Sequence, residues 1–162
     1  MVRANKGNRQ RSPWRAVVRE ERRLGISATR KGMTEEQLRV LRHIMGQGMF
    51  DWLHHGDGPP AKTSGDSQAH KLARRLGLKI HTHPMVGVKL HNHANVREKP
   101  KKPITRNHDI VKAVDEMTLC PSSTKEELRG SGTWATIRYC RKVGKPATII
   151  WPDGSRTHLN KQ

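Results

Sequence analysis

Cysteine is nearly absent from this chain: its 162 residues include two, Cys120 and Cys140, which do not form a C-x-x-C pair. This scarcity excludes a small disulfide-stapled domain and a four-cysteine zinc site. One cysteine falls in a predicted strand and the other in a predicted helix, so we expect two buried, reduced thiols. Thiols persist in that state in the cytosol, and a cytoplasmic location is therefore expected.

Long apolar runs and acidic residues are also scarce. No run approaches the roughly 20 apolar residues that cross a bilayer, and the first residues lack the apolar segment of a signal peptide, so we expect no membrane partner. Aspartate and glutamate number 14 against 32 lysines and arginines, which gives a formal net charge of +18. Such an excess favours polyanionic partners, namely DNA, RNA or phosphorylated small molecules.

Two segments concentrate the basic charge. Residues 1–23 form a basic N-terminal arm with little apolar surface, and we predict that it is partly disordered. A second basic segment, residues 89–102, lies inside the main domain. Both are either solvated surface or contacts to nucleic-acid phosphates, and the candidate contacts are Arg9, Arg11, Arg15, Lys99, Lys101 and Lys102.

Residues 24–154 are predicted to form one domain, followed by a polar tail at 155–162. Apolar segments predict five strands, at 24–29, 50–53, 78–84, 117–120 and 147–151. Segments with helical periodicity lie between them; the first begins with a capping box at Thr34, the second is capped by Ser64 or Asp66, and the third is capped by Thr105. The alternation predicts an α/β fold with a parallel sheet of about five strands and helices on both faces.

Polar and glycine-rich loops follow four of the predicted strands. In a parallel α/β sheet, ligands bind outside the carboxyl ends of the strands, so these loops are expected to meet at one site. The loop at residues 130–133 is the best candidate for a phosphate-binding loop, because two glycines and a threonine begin a helix there. Glycine permits close approach of the backbone, and the first turn of a helix presents free N–H groups.

Two charged residues near these loops have alternative interpretations. Arg106 opens a predicted helix and suits a bidentate clamp on phosphate, whereas the alternative is a surface salt bridge to Asp109. Asp57 either holds a ribose hydroxyl or caps the following turn.

The histidines suggest a metal site, but their spacing argues against one. His81 and His83 form one H-x-H pair, His91 and His93 form another, and His54 and His55 are adjacent. No cysteine or acidic residue joins them at a recognised ligand spacing. We therefore predict no metal site and expect surface or phosphate-contacting histidines.

Five motifs, in this order, resemble the SLOG superfamily: residues 54–57, 65–70, 83–84, 106–111 and 130–134. This superfamily contains the Lonely-guy phosphoribohydrolases, the DNA-processing protein A family and small phage and bacterial proteins of the YspA type, and the chain is most similar to the last group. The resemblance implies a Rossmann-like fold that binds a nucleotide or a related phosphorylated ligand, with no cofactor assigned beyond that ligand.

The resemblance also implies roles for individual residues. Gly130, Gly132 and Thr133 would cradle a phosphate, and Arg106 would lie near the ribose phosphate. A catalytic glutamate is expected two residues after the Gly-Thr pair, where this chain has Ala135. A phosphoribohydrolase needs a carboxylate, so the resemblance implies a binder rather than an enzyme, unless Asp57 or Asp66 substitutes.

Three functions follow from the sequence. The first is binding of a nucleotide-like ligand, as a sensor or a nucleic-acid processing factor; the second is nucleic-acid binding through the arm and the 89–102 segment; the third is N-glycosidase action on a nucleoside monophosphate. Whether the chain forms a homo-oligomer is left open. Ligand contacts are predicted at Thr29, Arg30, Gly56, Asp57, Asp66, Arg106, Gly130, Ser131, Gly132 and Thr133.

Overall fold

The computed structural model of the chain describes residues 20–90 and 92–160. These residues form seven strands and four helices in the order β1 (Arg23–Ala28), α1 (Glu35–Gly46), β2 (Trp52–His55), α2 (Gly65–Arg75), β3 (Lys79–Thr82), β4 (Val96–Arg97), α3 (Pro103–Ala113), β5 (Glu116–Cys120), α4 (Gly132–Val143), β6 (Ala147–Ile150) and β7 (Arg156–Leu159). Most of the basic arm, including Arg9, Arg11 and Arg15, lies outside the described residues.

The strands form one sheet in the order β4-β3-β2-β1-β5-β6-β7. All neighbouring pairs are parallel except β6 and β7, which are antiparallel. The predicted α/β fold with a parallel sheet is therefore confirmed, but the predicted number of five strands is wrong. Both additional strands lie at the edges of the sheet: β4 has two exposed residues, and β7 lies in the segment predicted to be a polar tail.

Two apolar cores fill the two faces of the sheet. Helices α1 and α2 cover one face, where Leu41 and Ala69 pack with strand residues. Helices α3 and α4 cover the other face, where Val111 and Ile137 do the same. The predicted burial of the two cysteines as free thiols is confirmed. Burial raises the pKa of the β5 thiol to about 12 and that of the α4 thiol to about 11.

Side-chain caps explain where α1 and α2 begin, whereas α3 begins without one. The capping box at α1 is present as predicted, with Thr34 and Gln37 each bonding the main-chain N–H of the other. Ser64 is the N-cap of α2. The predicted cap of α3 is wrong: the helix begins at Pro103, two residues before Thr105, and its N-cap position has no side-chain hydrogen bond. Proline is favoured in the first turn because its fixed φ suits the helix and no amide donor is lost.

The chain reverses its direction across the sheet at β1. From β1 it proceeds outward through β2 and β3 to β4, and it then returns through α3 to place β5 on the other side of β1. The loops that leave β1 and β5 consequently diverge and open a crevice at the carboxyl edge of the sheet. Among the helices described here, none has the length and apolar character needed to cross a membrane.

Candidate ligand-binding site

A cavity of about 230 Å³ lies at this reversal point, between the loops that follow β1, β2 and β5. Nine of the ten residues predicted to contact a ligand line it: Thr29, Arg30, Gly56, Asp66, Arg106, Gly130, Ser131, Gly132 and Thr133. They come from distant parts of the sequence, and the parallel sheet brings them together because the carboxyl ends of its strands share one edge. Their roles toward a ligand remain predictions.

The first turn of α4 forms one wall of the cavity. Gly130 has a φ of +80°, a left-handed conformation that favours glycine and turns the chain into the helix. Ser131 is the N-cap, and its hydroxyl accepts a hydrogen bond from Trp134 N at 3.2 Å. Gly132 and Thr133 then lie in the first turn, where main-chain N–H groups and the positive end of the helix dipole favour an anion.

Arg106 from α3 contributes a buried cation to the cavity, with 7% of the residue exposed. Its Nη1 donates to the carbonyl oxygen of Gly56 at 2.7 Å and, at 3.4 Å, to that of His83. Its Nε has no hydrogen-bond partner among the described residues. Burial lowers the pKa of Arg106. The alternative salt bridge to Asp109 is not formed, because that carboxylate accepts from Lys101 at 2.6 Å.

The loop after β1 forms a third wall. The main chain of Thr29 is held on both sides, since its N–H donates to Cys120 O at 3.0 Å and its carbonyl accepts from Gly65 N at 2.9 Å. These two bonds tie the end of β1 to β5 and to the start of α2. Arg30 follows with an exposed side chain, so the cavity has a charged outer edge.

Asp57 is the one predicted ligand contact outside the cavity lining. It is 2% exposed and has a φ of +51°. Its carboxylate accepts hydrogen bonds from Asn92, which belongs to the long segment between β3 and α3. The left-handed backbone turns this side chain toward that segment, which sequence spacing alone did not reveal.

Two carboxylates line the cavity, those of Asp66 and Glu127. Asp66 was predicted as a contact, and its Oδ2 accepts from Gly58 N at 3.0 Å. Glu127 was missed because it lies in a polar loop without a motif, and so was Asn107, although it directly follows Arg106. Ala135, at the position where the resemblance expects a catalytic glutamate, is not part of the lining.

A buried histidine pair joins two of the sequence motifs behind the cavity. His55 Nδ1 accepts from Asp57 N at 2.9 Å, which places the proton of the neutral ring on Nε2, facing His70 Nδ1 at 3.1 Å. Burial lowers the pKa of His55, and it lowers that of His70 to about 4. Burial is the largest cause for both rings, Arg74, Arg106 and His93 act in the same direction, and the carboxylates of Asp57 and Asp66, which act in the opposite direction, are outweighed.

We expect this pair to make the protein acid-sensitive. An unfolded histidine titrates near pH 6.5, so the unfolded chain takes up protons first, and stability falls from that pH down to the folded pKa near 4. When the pH is lowered from 7 to 5, the free energy of unfolding should fall in both proteins. The fall should be about 1–2 kcal/mol smaller in His70→Gln than in the unmodified protein. Urea unfolding at both pH values measures this difference. His43→Gln, at an exposed position of α1, is the control, and equal losses in all three proteins would refute the prediction.

The predicted nucleic-acid contacts of the 89–102 segment lie at the surface. Lys99, Lys101 and Lys102 are all exposed, and Lys101 also pairs with Asp109 at 2.6 Å. Their contact with nucleic acid remains a prediction.

No protein-family model and no curated protein matches the chain. Solved structures do match it. The molybdenum cofactor binding protein from the phototrophic bacterium Rippkaea orientalis has a TM-score of 0.62 at 14% identity, over 81% of this chain and 77% of that one. The Moco carrier protein from Chlamydomonas reinhardtii has a TM-score of 0.60 at 14% identity, over 80% and 75%.

A third match is DNA processing protein A (DprA) from Streptococcus pneumoniae, with a TM-score of 0.55 at 14% identity. The alignment covers 80% of this chain and 50% of that one, so the chain spans half the length of this relative. At these identities the matches establish the fold. The chain shares a Rossmann-like fold with these structures, which confirms the fold that the sequence resemblance implied.

Proposed function

We propose that this protein binds a nucleotide or a related phosphorylated small molecule in the cavity at the carboxyl edge of its sheet. The observation that carries this proposal is the convergence on one cavity of the α4 first turn and the buried Arg106 side chain. A helix N-terminus and a guanidinium both favour a phosphate group, and here they line the same space.

The hydrogen bonds of Arg106 support this assignment. Its Nη1 is occupied by main-chain carbonyls, which fix the plane of the guanidinium, while its buried Nε has no partner among the described residues. A buried donor without an acceptor is costly. A phosphate oxygen accepting from Nε would remove that cost and form a charge-assisted bond.

The volume of the cavity indicates which part of a ligand it holds. At about 230 Å³ it is smaller than the range of about 300–1,000 Å³ that encloses drug-sized ligands. We therefore assign it to the phosphate and adjoining sugar of a ligand whose remainder lies over the exposed edge at Arg30 and Lys31. Two structural neighbours are named for binding the molybdenum cofactor, which supports a phosphorylated ligand that is not restricted to nucleotides.

A thermal-shift screen followed by calorimetry tests the proposal. The probes are the four nucleoside monophosphates, each paired with its unphosphorylated nucleoside, and inorganic pyrophosphate. We expect at least one monophosphate to raise the melting temperature while its nucleoside does not, because the phosphate supplies the contacts described above. If no phosphorylated probe binds at millimolar concentration, the proposal is refuted.

Nucleic-acid binding is the second candidate function, and one surface supports it. A groove between α1 and α2 is lined by four basic side chains, those of Arg39, Arg42, Lys71 and Arg75, and one acidic side chain, that of Glu35. Adding a single-stranded oligonucleotide to the same screen separates the two functions. Oligonucleotide binding at this groove should weaken steeply with increasing salt and should persist in a variant whose cavity is filled by a substitution. Monophosphate binding should be lost in the same variant.

The screen also addresses hydrolysis. Asp66 and Glu127 are the carboxylates available for glycosidase chemistry in the cavity. Chromatography of each monophosphate after incubation would reveal free base if either carboxylate supports turnover, and loss of that base in Asp66→Asn or Glu127→Gln would identify the group responsible.

A further inference from the structure

Three histidines from β2 and β3 lie together on one face of the sheet, outside the cavity. Leu53 and Ile80 point into the core beneath α1 and α2, so the next residue of each strand points to the opposite face. His54 and His81 are partners in the parallel register and therefore lie side by side. His83 follows two residues after His81 and returns to the same face.

The ring nitrogens of these histidines converge. His54 Nδ1 and His83 Nε2 are 2.9 Å apart, and one ligand nitrogen from each of the three rings lies within 4.8 Å of the others. His54 and His83 are buried, with 1% and 4% exposed, and His81 is partly buried. We propose that His54, His81 and His83 form a binding site for a divalent transition-metal ion of the zinc type.

His81 carries the strongest evidence for this site. Its Nε2 lies 2.8 Å from the Glu98 carboxylate, which accepts a hydrogen bond from Nε2–H, so the lone pair of the neutral ring is on Nδ1. That Nδ1 is buried and has no hydrogen-bond partner among the described residues. Metal-binding histidines characteristically donate their second ring N–H to a carboxylate, which orients the ring and raises its basicity. A metal ion would give this Nδ1 a partner.

The other two rings are also suited to bind. His54 and His83 are buried, and burial favours the neutral imidazole, the form in which histidine binds a metal ion. Arg23 Nη1 donates to His54 Nε2 at 3.0 Å, which leaves the His54 proton on Nδ1, between the rings. Metal binding through Nδ1 requires this proton to move to Nε2 and the hydrogen bond from Arg23 to be broken.

The chemistry of the donors selects the ion. Three neutral imidazoles suit zinc, copper or nickel, whereas calcium and magnesium prefer oxygen ligands. In a tetrahedral zinc site with Zn–N bonds of about 2.0–2.1 Å, two ligand nitrogens lie about 3.4 Å apart, close to the separation of His54 and His83. The His81 and His83 rings are stacked at 12°, so His81 must tilt to bring the ion into its plane. A water molecule or an anion would complete the coordination.

The sequence did not predict this site, because His54 is separated from His81 by a whole helix. The distance between these residues in the fold depends on the β2–β3 register, which the sequence pattern does not fix. His93 belongs to the second H-x-H pair but is exposed and does not contribute, and His91 lies outside the described residues. The proposed site is independent of the proposed function, since the cavity lining contains none of these histidines.

Titration of the untagged full chain with Zn²⁺ after EDTA treatment tests this inference, with Co²⁺ as a spectroscopic probe. We expect one Zn²⁺ per chain and visible Co²⁺ bands of a four- or five-coordinate ion. His54→Gln, His81→Gln and His83→Gln should each weaken binding about 100-fold or more, and Glu98→Gln about 10–100-fold. His43→Gln removes an exposed histidine of α1 and should bind like the unmodified protein.

Two results would overturn the site. One is the absence of Zn²⁺ and Co²⁺ binding by the unmodified protein at millimolar concentration, a measurement that no folding defect of a variant affects. The other is unchanged affinity in the three histidine variants, which would assign the ion to exposed histidines elsewhere. Melting curves of each metal-free variant show whether it is folded, and Glu98→Gln, which leaves all three ligands in place, keeps the comparison valid if a histidine variant unfolds.

Discussion

Replacing Gly56 with alanine is expected to destabilise the protein by about 2–4 kcal/mol, because Arg106 occupies the space that a side chain would need. A Cβ at this position would lie 1.9 Å from Arg106 Nη1 and 2.6 Å from its Cζ. The guanidinium must then leave, and the buried carbonyl of Gly56 loses the hydrogen bond that it accepts at 2.7 Å. Urea unfolding measures the loss, and ligand affinity should fall with it because the displaced side chain is part of the cavity wall.

A double-mutant cycle tests this explanation. Arg106→Ala alone also breaks the bond to Gly56, so adding Gly56→Ala to it should cost little more, and the two effects should depart from additivity by about 2 kcal/mol. Gly46→Ala, at a position with nothing within 4 Å of the added Cβ, is the control and should be neutral or slightly stabilising. If the losses of unfolding free energy are additive in the cycle, Arg106 does not pack against Gly56.

Local chemistry explains why much of the fold could be predicted from the sequence. The Thr34 capping box depends on side chains three residues apart, and it is present as expected. The central strands β1 and β5 are buried at consecutive positions, 24–26 and 117–120, as expected of parallel strands that are covered on both faces. Because strands and helices alternate between them, the parallel topology follows from the order of the elements.

The edge strands could not be predicted in the same way. Val96 and Arg97 in β4 are exposed, and three of the four residues of β7 are polar and exposed. Such segments become strands because a neighbour offers unpaired main-chain groups, and their own composition does not signal it. Sequence patterns therefore predicted a loop where β4 lies and a polar tail where β7 lies.

In the candidate site, the position of the loops could be predicted from the sequence, but the direction of the side chains could not. Topology brought nine predicted residues to one cavity, since loops at one edge of a parallel sheet must be neighbours. The direction of single side chains was not predictable. Asp57 turns away because of its left-handed backbone, and His54 meets His81 because of the β2–β3 register. Both features depend on backbone geometry that only the folded chain defines.

Replacing Gly132 with aspartate is expected to abolish binding of a phosphorylated ligand while leaving the fold as stable as before. A Cβ at Gly132 would approach no closer than 3.7 Å to Asn107 Nδ2, so the new side chain enters the cavity without a clash. An acidic residue in the first turn of α4 interacts favourably with the helix dipole, by about 0.3–1 kcal/mol. Toward a phosphate about 4 Å away the same charge is repulsive by roughly 4 kcal/mol at an effective dielectric constant near 20, which predicts a loss of affinity of at least about 100-fold.

Gly132→Asn is the control, because its side chain has nearly the same shape without the charge, and it should lose much less affinity. Calorimetry on the two variants, with melting temperatures as the stability measure, separates charge repulsion from side-chain size. Equal affinities in both variants and the unmodified protein would place the ligand elsewhere and remove α4 from the proposed site.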